Sequence, residues 1–267
     1  MITPATSCVI KSGWNENNCL AGKANSIQFG VRILLIAATL WVAVAPGAGQ
    51  QDSSKTSDTN AELQRVIAQM DRTAANFNTT QAKFVWTQYT AVINDISDTQ
   101  KGTVYFRRTG KEVEMAADIT DPPPAKYVLY TGSKVQVYQS KIDQVTQYDT
   151  GKDRAVLESF LVLGFGGSGQ DMLKSFDVNY LGTERVGEID TALLNLVPKS
   201  EKARNTFNHI WLWIDSARGV SLRQKLFAPD GDYRLADYSD VRLHEKIPDS
   251  TFRLKTTGKT RFLSPKG

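Results

Sequence analysis

The sequence predicts a mainly β protein: a large, curved antiparallel sheet of about eleven strands, interrupted by helical insertions. Three observations predict it. Apolar and polar residues alternate with period two from Ala82 onward, broken by turn residues. A single amphipathic stripe of helical period precedes that region, and one stretch apolar nearly all round interrupts it near the middle of the chain.

Ahead of the amphipathic stripe, the first 49 residues read as a secretory leader. Arg32 stands before an apolar run from Ile33 to Ala45, which ends in Pro46-Gly47-Ala48-Gly49 and then polar Gln50-Gln51-Asp52. The run is shorter than the roughly 20 residues a bilayer-spanning helix needs. Cleavage is expected after Gly47 or Gly49, with the mature domain acting outside the cytoplasm. Residues 1–30 are polar and nearly uncharged, and methionine is absent between Met1 and Met70. We expect translation to start at Val31 through a valine-type start codon, leaving residues 1–30 untranslated.

Both cysteines, Cys8 and Cys19, precede the apolar run. The mature domain is therefore expected to need no disulfide and to carry no cysteine for lipid attachment, which predicts a soluble protein. Formal charge is +4 for the chain, and +2 once the leader's three cations and one anion are removed. That is too little to argue for nucleic acid on bulk charge.

Gln50 to Asp58 reads as a flexible linker, and residues 59–267 as the folded domain. Thr59 and Glu62 have capping-box spacing, and Leu63, Val66, Ile67, Met70, Ala74 and Phe77 form the stripe. Strands are expected at Phe84–Tyr89, Gly102–Arg107 and Val113–Ala117. Asp121-Pro122-Pro123-Pro124 cannot continue a ladder and reads as an extended crossing or edge segment. A hairpin follows, Tyr127–Tyr130 and Val135–Tyr138 around Thr131-Gly132-Ser133-Lys134, then a short strand at Val145–Tyr148. Ala155–Leu163 is the apolar helix and Asp171–Phe176 a second, short one. Strands resume at Phe176–Leu181, Thr191–Val197, Ile210–Ile214, Ser221–Phe227, Tyr233–Val241 and Phe252–Leu254.

Catalytic chemistry is poorly supported. The two histidines, His209 and His244, lie in different strands, and H-E-x-x-H, paired C-x-x-C and G-x-S-x-G motifs are absent. Gly164-Phe165-Gly166-Gly167-Ser168-Gly169 matches G-x-G-x-x-G, but hairpins surround it where a dinucleotide fold needs strand–helix–strand units. It reads instead as a glycine-rich hinge ending a helix. No catalytic residue, metal site or cofactor is expected.

An ordered set of short motifs spans nearly the whole domain. It comprises Trp86-Thr87-Gln88, Gly102-x-Val104-Tyr105-Phe106-Arg107-Arg108, the Val128–Tyr138 hairpin, Leu194-Asn195-Leu196-Val197-Pro198-Lys199, Trp211-Leu212-Trp213-Ile214-Asp215, and Ile247-Pro248-Asp249 before Phe252-Arg253-Leu254. In order and spacing the chain resembles the periplasmic outer-membrane lipoprotein carriers, the LolA-type proteins. It departs from them at Thr131-Gly132, where they carry Asp-Gly, and at Thr109, where Pro is common.

The resemblance implies an unclosed antiparallel half-barrel of about eleven strands under a helical lid. It implies a monomeric periplasmic carrier, without catalytic residues, that binds lipoprotein acyl chains. Its partners would be acylated lipoproteins, an inner-membrane lipoprotein-releasing transporter and an outer-membrane acceptor. Each buried methylene is worth about 0.8 kcal/mol, so shielding a sixteen-carbon chain recovers on the order of 10 kcal/mol. An apolar hollow able to close when empty is therefore needed. Period-two phase selects Phe84, Trp86, Val104, Phe106 and Met115 as hollow-facing, which an ordinary sandwich core would also use. Ile67 and Met70 on one helix, and Leu157, Phe160 and Leu161 on the other, are the lid candidates. The family's lid-latching Arg aligns with Arg108, with Arg107 as the fallback. Two other readings are a periplasmic sensor of the same fold that binds a protein partner, and a secreted hydrolase, disfavoured by the missing nucleophile and base.

Overall fold

A computed structural model describes residues 52–110, 112–151 and 163–265. The leader over 1–49, the start at Val31 and the lid candidates Leu157, Phe160 and Leu161 lie outside the described residues.

The first helix, α1 (Asp52–Ala75), begins upstream of Thr59 and runs through most of the segment expected to be a linker. Between Asp52 and Ala75 there is neither glycine nor proline to stop it. Its apolar stripe is buried as the period demands: Leu63, Val66, Ile67, Met70 and Ala74 are each at most 9% exposed. Among the described residues no helix is long and apolar enough to cross a membrane.

Among the described residues twelve strands follow: β1 (Thr79–Thr90), β2 (Asp95–Thr109), β3 (Glu112–Asp121), β4 (Lys126–Thr131), β5 (Lys134–Gln139), β6 (Gln144–Asp149), β7 (Phe176–Val186), β8 (Ile189–Pro198), β9 (His209–Asp215), β10 (Val220–Phe227), β11 (Tyr233–Leu243) and β12 (Arg261–Leu263). They form one sheet in the order β12-β6-β5-β4-β3-β2-β1-β11-β10-β9-β8-β7, with β12 and β7 as its two edges. The sheet is therefore an unclosed half-barrel, the fold class expected. It is mixed rather than wholly antiparallel, because β12 pairs parallel with β6. Among the described residues two short helices, α2 (Gly169–Ser175) and α3 (Glu201–Arg204), lie between strands, and Ser168 Oγ caps α2 by accepting from Asp171 N.

Two local expectations are corrected. Asp121–Pro124 is the turn joining β3 to β4, not a crossing or edge segment; prolines donate no N–H, so the ladder stops at Asp121. Phe252–Leu254 is not a strand. A 3₁₀ turn at Asp249–Phe252 puts Phe252 against Ala116, Leu129 and Ile247, so side-chain packing, not a ladder, satisfies this apolar spacing.

The sheet's two faces bury different partners. On the inner face, α1 and Met172 of α2 pack on Ala192, Leu194 and Leu196 of β8 and Ile210, Leu212 and Ile214 of β9. On the outer face, the segment around Ile247 and Phe252 covers Ala116 and Leu129. Burying Leu63, Val66, Ile67 and Met70 at about 1.5–3 kcal/mol each seats α1 firmly on the β7–β9 half. That half is core, which leaves the other half of the inner face to form any hollow.

Candidate apolar binding site

Alternation along β1, β2, β3 and β11 turns Phe84, Val104, Phe106, Met115 and Tyr238 to the same inner face. With Ala117, Gln224 and Phe165 they line a cavity of about 190 Å³. Engineered apolar cavities of about 150 Å³ take up benzene. A hollow of this size therefore admits a short apolar segment, and a whole acyl chain enters only if something moves.

One wall of the cavity is Phe165, in the turn Leu163–Gly166. Its ring is 1% exposed, stacks on Phe106 at 5.0 Å and meets Tyr238 edge-on at 4.6 Å. The turn is held by its carbonyls. Gln224 Nε2 donates to Leu163 O (2.6 Å), Ser221 N donates to Gly164 O (2.9 Å), and Arg108 Nη2 donates to Gly166 O (2.5 Å). Tyr238 O–H in turn donates to Gln224 Oε1 at 3.4 Å. Burial, and then the neighbouring Asp237 charge, raise the Tyr238 pKa, so this hydroxyl stays a donor.

The glycines of this turn have a steric cause. Gly164 and Gly166 sit at φ +75° and +86°, and a Cβ on Gly166 would lie 2.5 Å from the Phe77 ring. The G-x-G-x-x-G match is thus a close-packed turn presenting an aromatic ring to the cavity.

Arg108 also donates from Nη1 to Ala74 O at the end of α1 (3.0 Å), with its guanidinium 5.4 Å from the Phe77 ring. One side chain therefore ties α1 to the Phe165 turn. Arg107, its neighbour, faces the other way. It pairs with Glu114 (2.7 Å) and Asp249 (2.5 Å), and lies 4.1 Å over the Phe252 ring.

The remaining sequence-predicted site residues separate. Phe84, Val104, Phe106 and Met115 come together in the cavity, whereas Trp86 does not line it and sits with Arg234 5.9 Å over its ring. Ile67 and Met70 are core residues on the buried face of α1, each 1% exposed, rather than cavity lining. Sequence reasoning missed Phe165, Tyr238, Ala117 and Gln224; the available signal was an aromatic residue flanked by two glycines. Of the histidines, His209 stacks on Phe227 at 4.1 Å, and its pKa is lowered by burial and then by the Lys225 charge.

No family model matches the sequence, and no curated protein matches it. Among solved structures, an uncharacterised conserved protein from Thermus thermophilus is similar at 10% identity and a TM-score of 0.49, covering 76% of this chain and 99% of that one. The lipoprotein LppX from Mycobacterium tuberculosis is similar at 12% identity and TM-score 0.43, covering 71% and 98%. A LolA superfamily protein from Nitrosomonas europaea is similar at 14% identity and TM-score 0.37, covering 72% and 97%.

Proposed function

We propose that this protein is a periplasmic carrier that binds lipoprotein acyl chains in the inner-face hollow. It would receive lipoproteins from an inner-membrane releasing transporter and pass them to an outer-membrane acceptor. One observation carries the reading: an apolar cavity lined by Phe165, whose turn is held mainly through backbone carbonyls and which we read as a plug. Such a plug occupies the place an acyl chain would take, and withdraws without breaking the sheet. Withdrawal exposes one Phe, about 1.5–3 kcal/mol, and releases the Arg108 bond to Gly166 O at about 1.5–3 kcal/mol and the Gln224 and Ser221 bonds at about 0.5–1.5 kcal/mol each. That sum stays below the roughly 10 kcal/mol recovered by shielding a sixteen-carbon chain.

The test is uptake of a fluorescent acyl probe by the purified domain, and its displacement by a triacylated lipoprotein. Uptake with displacement is expected. Absence of uptake, with native mass spectrometry showing a bound protein and no lipid, would replace the carrier by a sensor of the same fold.

A further inference from the structure

A second, larger cavity of about 340 Å³ lies on the outer face, walled by Tyr105 of β2, Tyr127 of β4 and Tyr138 of β5. Residues of the C-terminal segment close it, among them Arg253 and Lys255. This segment is fastened in place: Arg107 pairs with Asp249, and Tyr127 O–H donates to Thr251 O at 2.6 Å. The carrier reading makes no use of this cavity.

Its charges are unbalanced. Lys126, Arg253 and Lys255 line it, and none forms an ion pair with a described residue, while Asp118 is the one acidic group among the described lining residues. Elsewhere on the sheet cations find partners, as in Lys101 with Asp121 and Arg223 with Asp237. The tyrosines divide their roles. Tyr127 and Tyr138 have committed their hydroxyls to Thr251 O and Asp143 Oδ1, and burial pushes Tyr127 up to about 12, so it remains neutral. The Tyr105 hydroxyl makes no hydrogen bond to a described residue. The cavity therefore offers three unspent cations and a free hydroxyl donor beside aromatic walls. Its volume is at the small end of ligand sites, roughly 300–1,000 Å³.

We propose that this outer-face cavity binds a phosphate ester. The phosphate oxygens engage Lys126, Arg253, Lys255 and the Tyr105 hydroxyl, and a small organic group lies against the tyrosine rings. Arg253 offers the planar fork that meets phosphate oxygens in pairs, and the excess of cations suits an anion of more than one charge. Such an ester is either free in solution or the headgroup of a phospholipid, and the two are separable.

The experiment titrates the full chain with phenyl phosphate by calorimetry, with phenol in parallel, and measures flotation with vesicles containing phosphatidylglycerol. The variant is Lys126→Gln/Arg253→Gln/Lys255→Gln, its fold checked by circular dichroism. A control, Lys83→Gln/Lys174→Gln/Arg185→Gln, removes equal charge elsewhere. At least a tenfold loss confined to the first variant is expected in one arm or both; loss for phenyl phosphate indicates a free ester, and loss for vesicles a headgroup. Binding equal in wild type and first variant, equal loss in the control, phenol binding as tightly as phenyl phosphate, or no binding in either arm overturns the proposal. Acyl-probe uptake should be unchanged by the first variant, so this site and the inner hollow fail independently.

Discussion

Arg107 and Arg108 are adjacent in β2, yet they clamp opposite faces of the sheet. Arg108 holds the end of α1 and the plug turn on the inside, and Arg107 holds Asp249 and Phe252 on the outside. The alternation of a strand makes two independent fasteners from two consecutive identical residues.

Separating the two fasteners gives the first prediction. Arg108→Leu is expected to cost about 2 kcal/mol and to speed amide exchange around Ala74 and Gly166, leaving residues 247–254 unaffected. Arg107→Leu should do the reverse. Hydrogen exchange read by mass spectrometry distinguishes them, and equal effects of both variants on both regions would refute the division of roles.

Phe165→Ala should move stability and ligand affinity in opposite directions. Removing a buried ring costs about 3–5 kcal/mol, read by urea unfolding. Because the plug competes with the ligand, the acyl probe should bind more tightly, by about tenfold for each 1.4 kcal/mol of competition removed. Weaker probe binding in a folded variant would mean that Phe165 is part of the binding surface.

At Gly166 an alanine meets both an unfavourable φ and the Phe77 ring, and should lose about 1–3 kcal/mol. Gly187→Ala, at φ +61° with open space around its Cβ position, should lose less. Thermal denaturation of the two variants checks the order.

His209 is predicted to make the fold sensitive to mild acid. Its pKa is lowered in the folded state, so below its ordinary value of 6.5 the unfolded chain binds the proton first. Its contribution is fully present above pH 6.5 and is lost as the pH falls through the folded value. His209→Phe, which keeps a ring against Phe227, should flatten the stability profile below pH 6.5, and Lys225→Met, which removes one cause of the lowering, should make the fall smaller and end it at a higher pH.

Acid should also loosen the C-terminal strand. Asp143 accepts from Thr257 and Thr260 (2.6 Å each), and these bonds hold its carboxyl below the usual range. Protonation removes them, so the β12–β6 pairing should be retained above pH 3.8 and lost as the pH falls through the lowered value. Asp143→Asn should abolish that pH dependence, with exchange at Arg261–Leu263 as the readout.

What the sequence made legible was set by local rules. Period-two alternation placed Phe84, Val104, Phe106 and Met115 on one face, and helical period placed Ile67 and Met70 on another. Less legible was anything decided by distant partners. Phe165 became a plug because Ser221, Gln224 and Arg108, all remote in sequence, hold its turn. Phe252 looks like a strand residue locally, but its partners are Ala116 and Leu129. β12 has three residues and lacks a readable period. Period alone likewise could not distinguish a cavity wall from a packed core, because both require the same alternation.

An unclosed sheet leaves two rims at which another copy could add a strand and begin a filament. At one rim β12 covers β6 for only three residues. At the other, β7 changes register between Tyr180 and Gly182, and exposed Glu184 and Arg185 follow. A bulge and charge on a rim disfavour continuous intermolecular pairing. An open sheet can thus keep an accessible hollow while interrupted pairing and charge at its margins limit polymerisation.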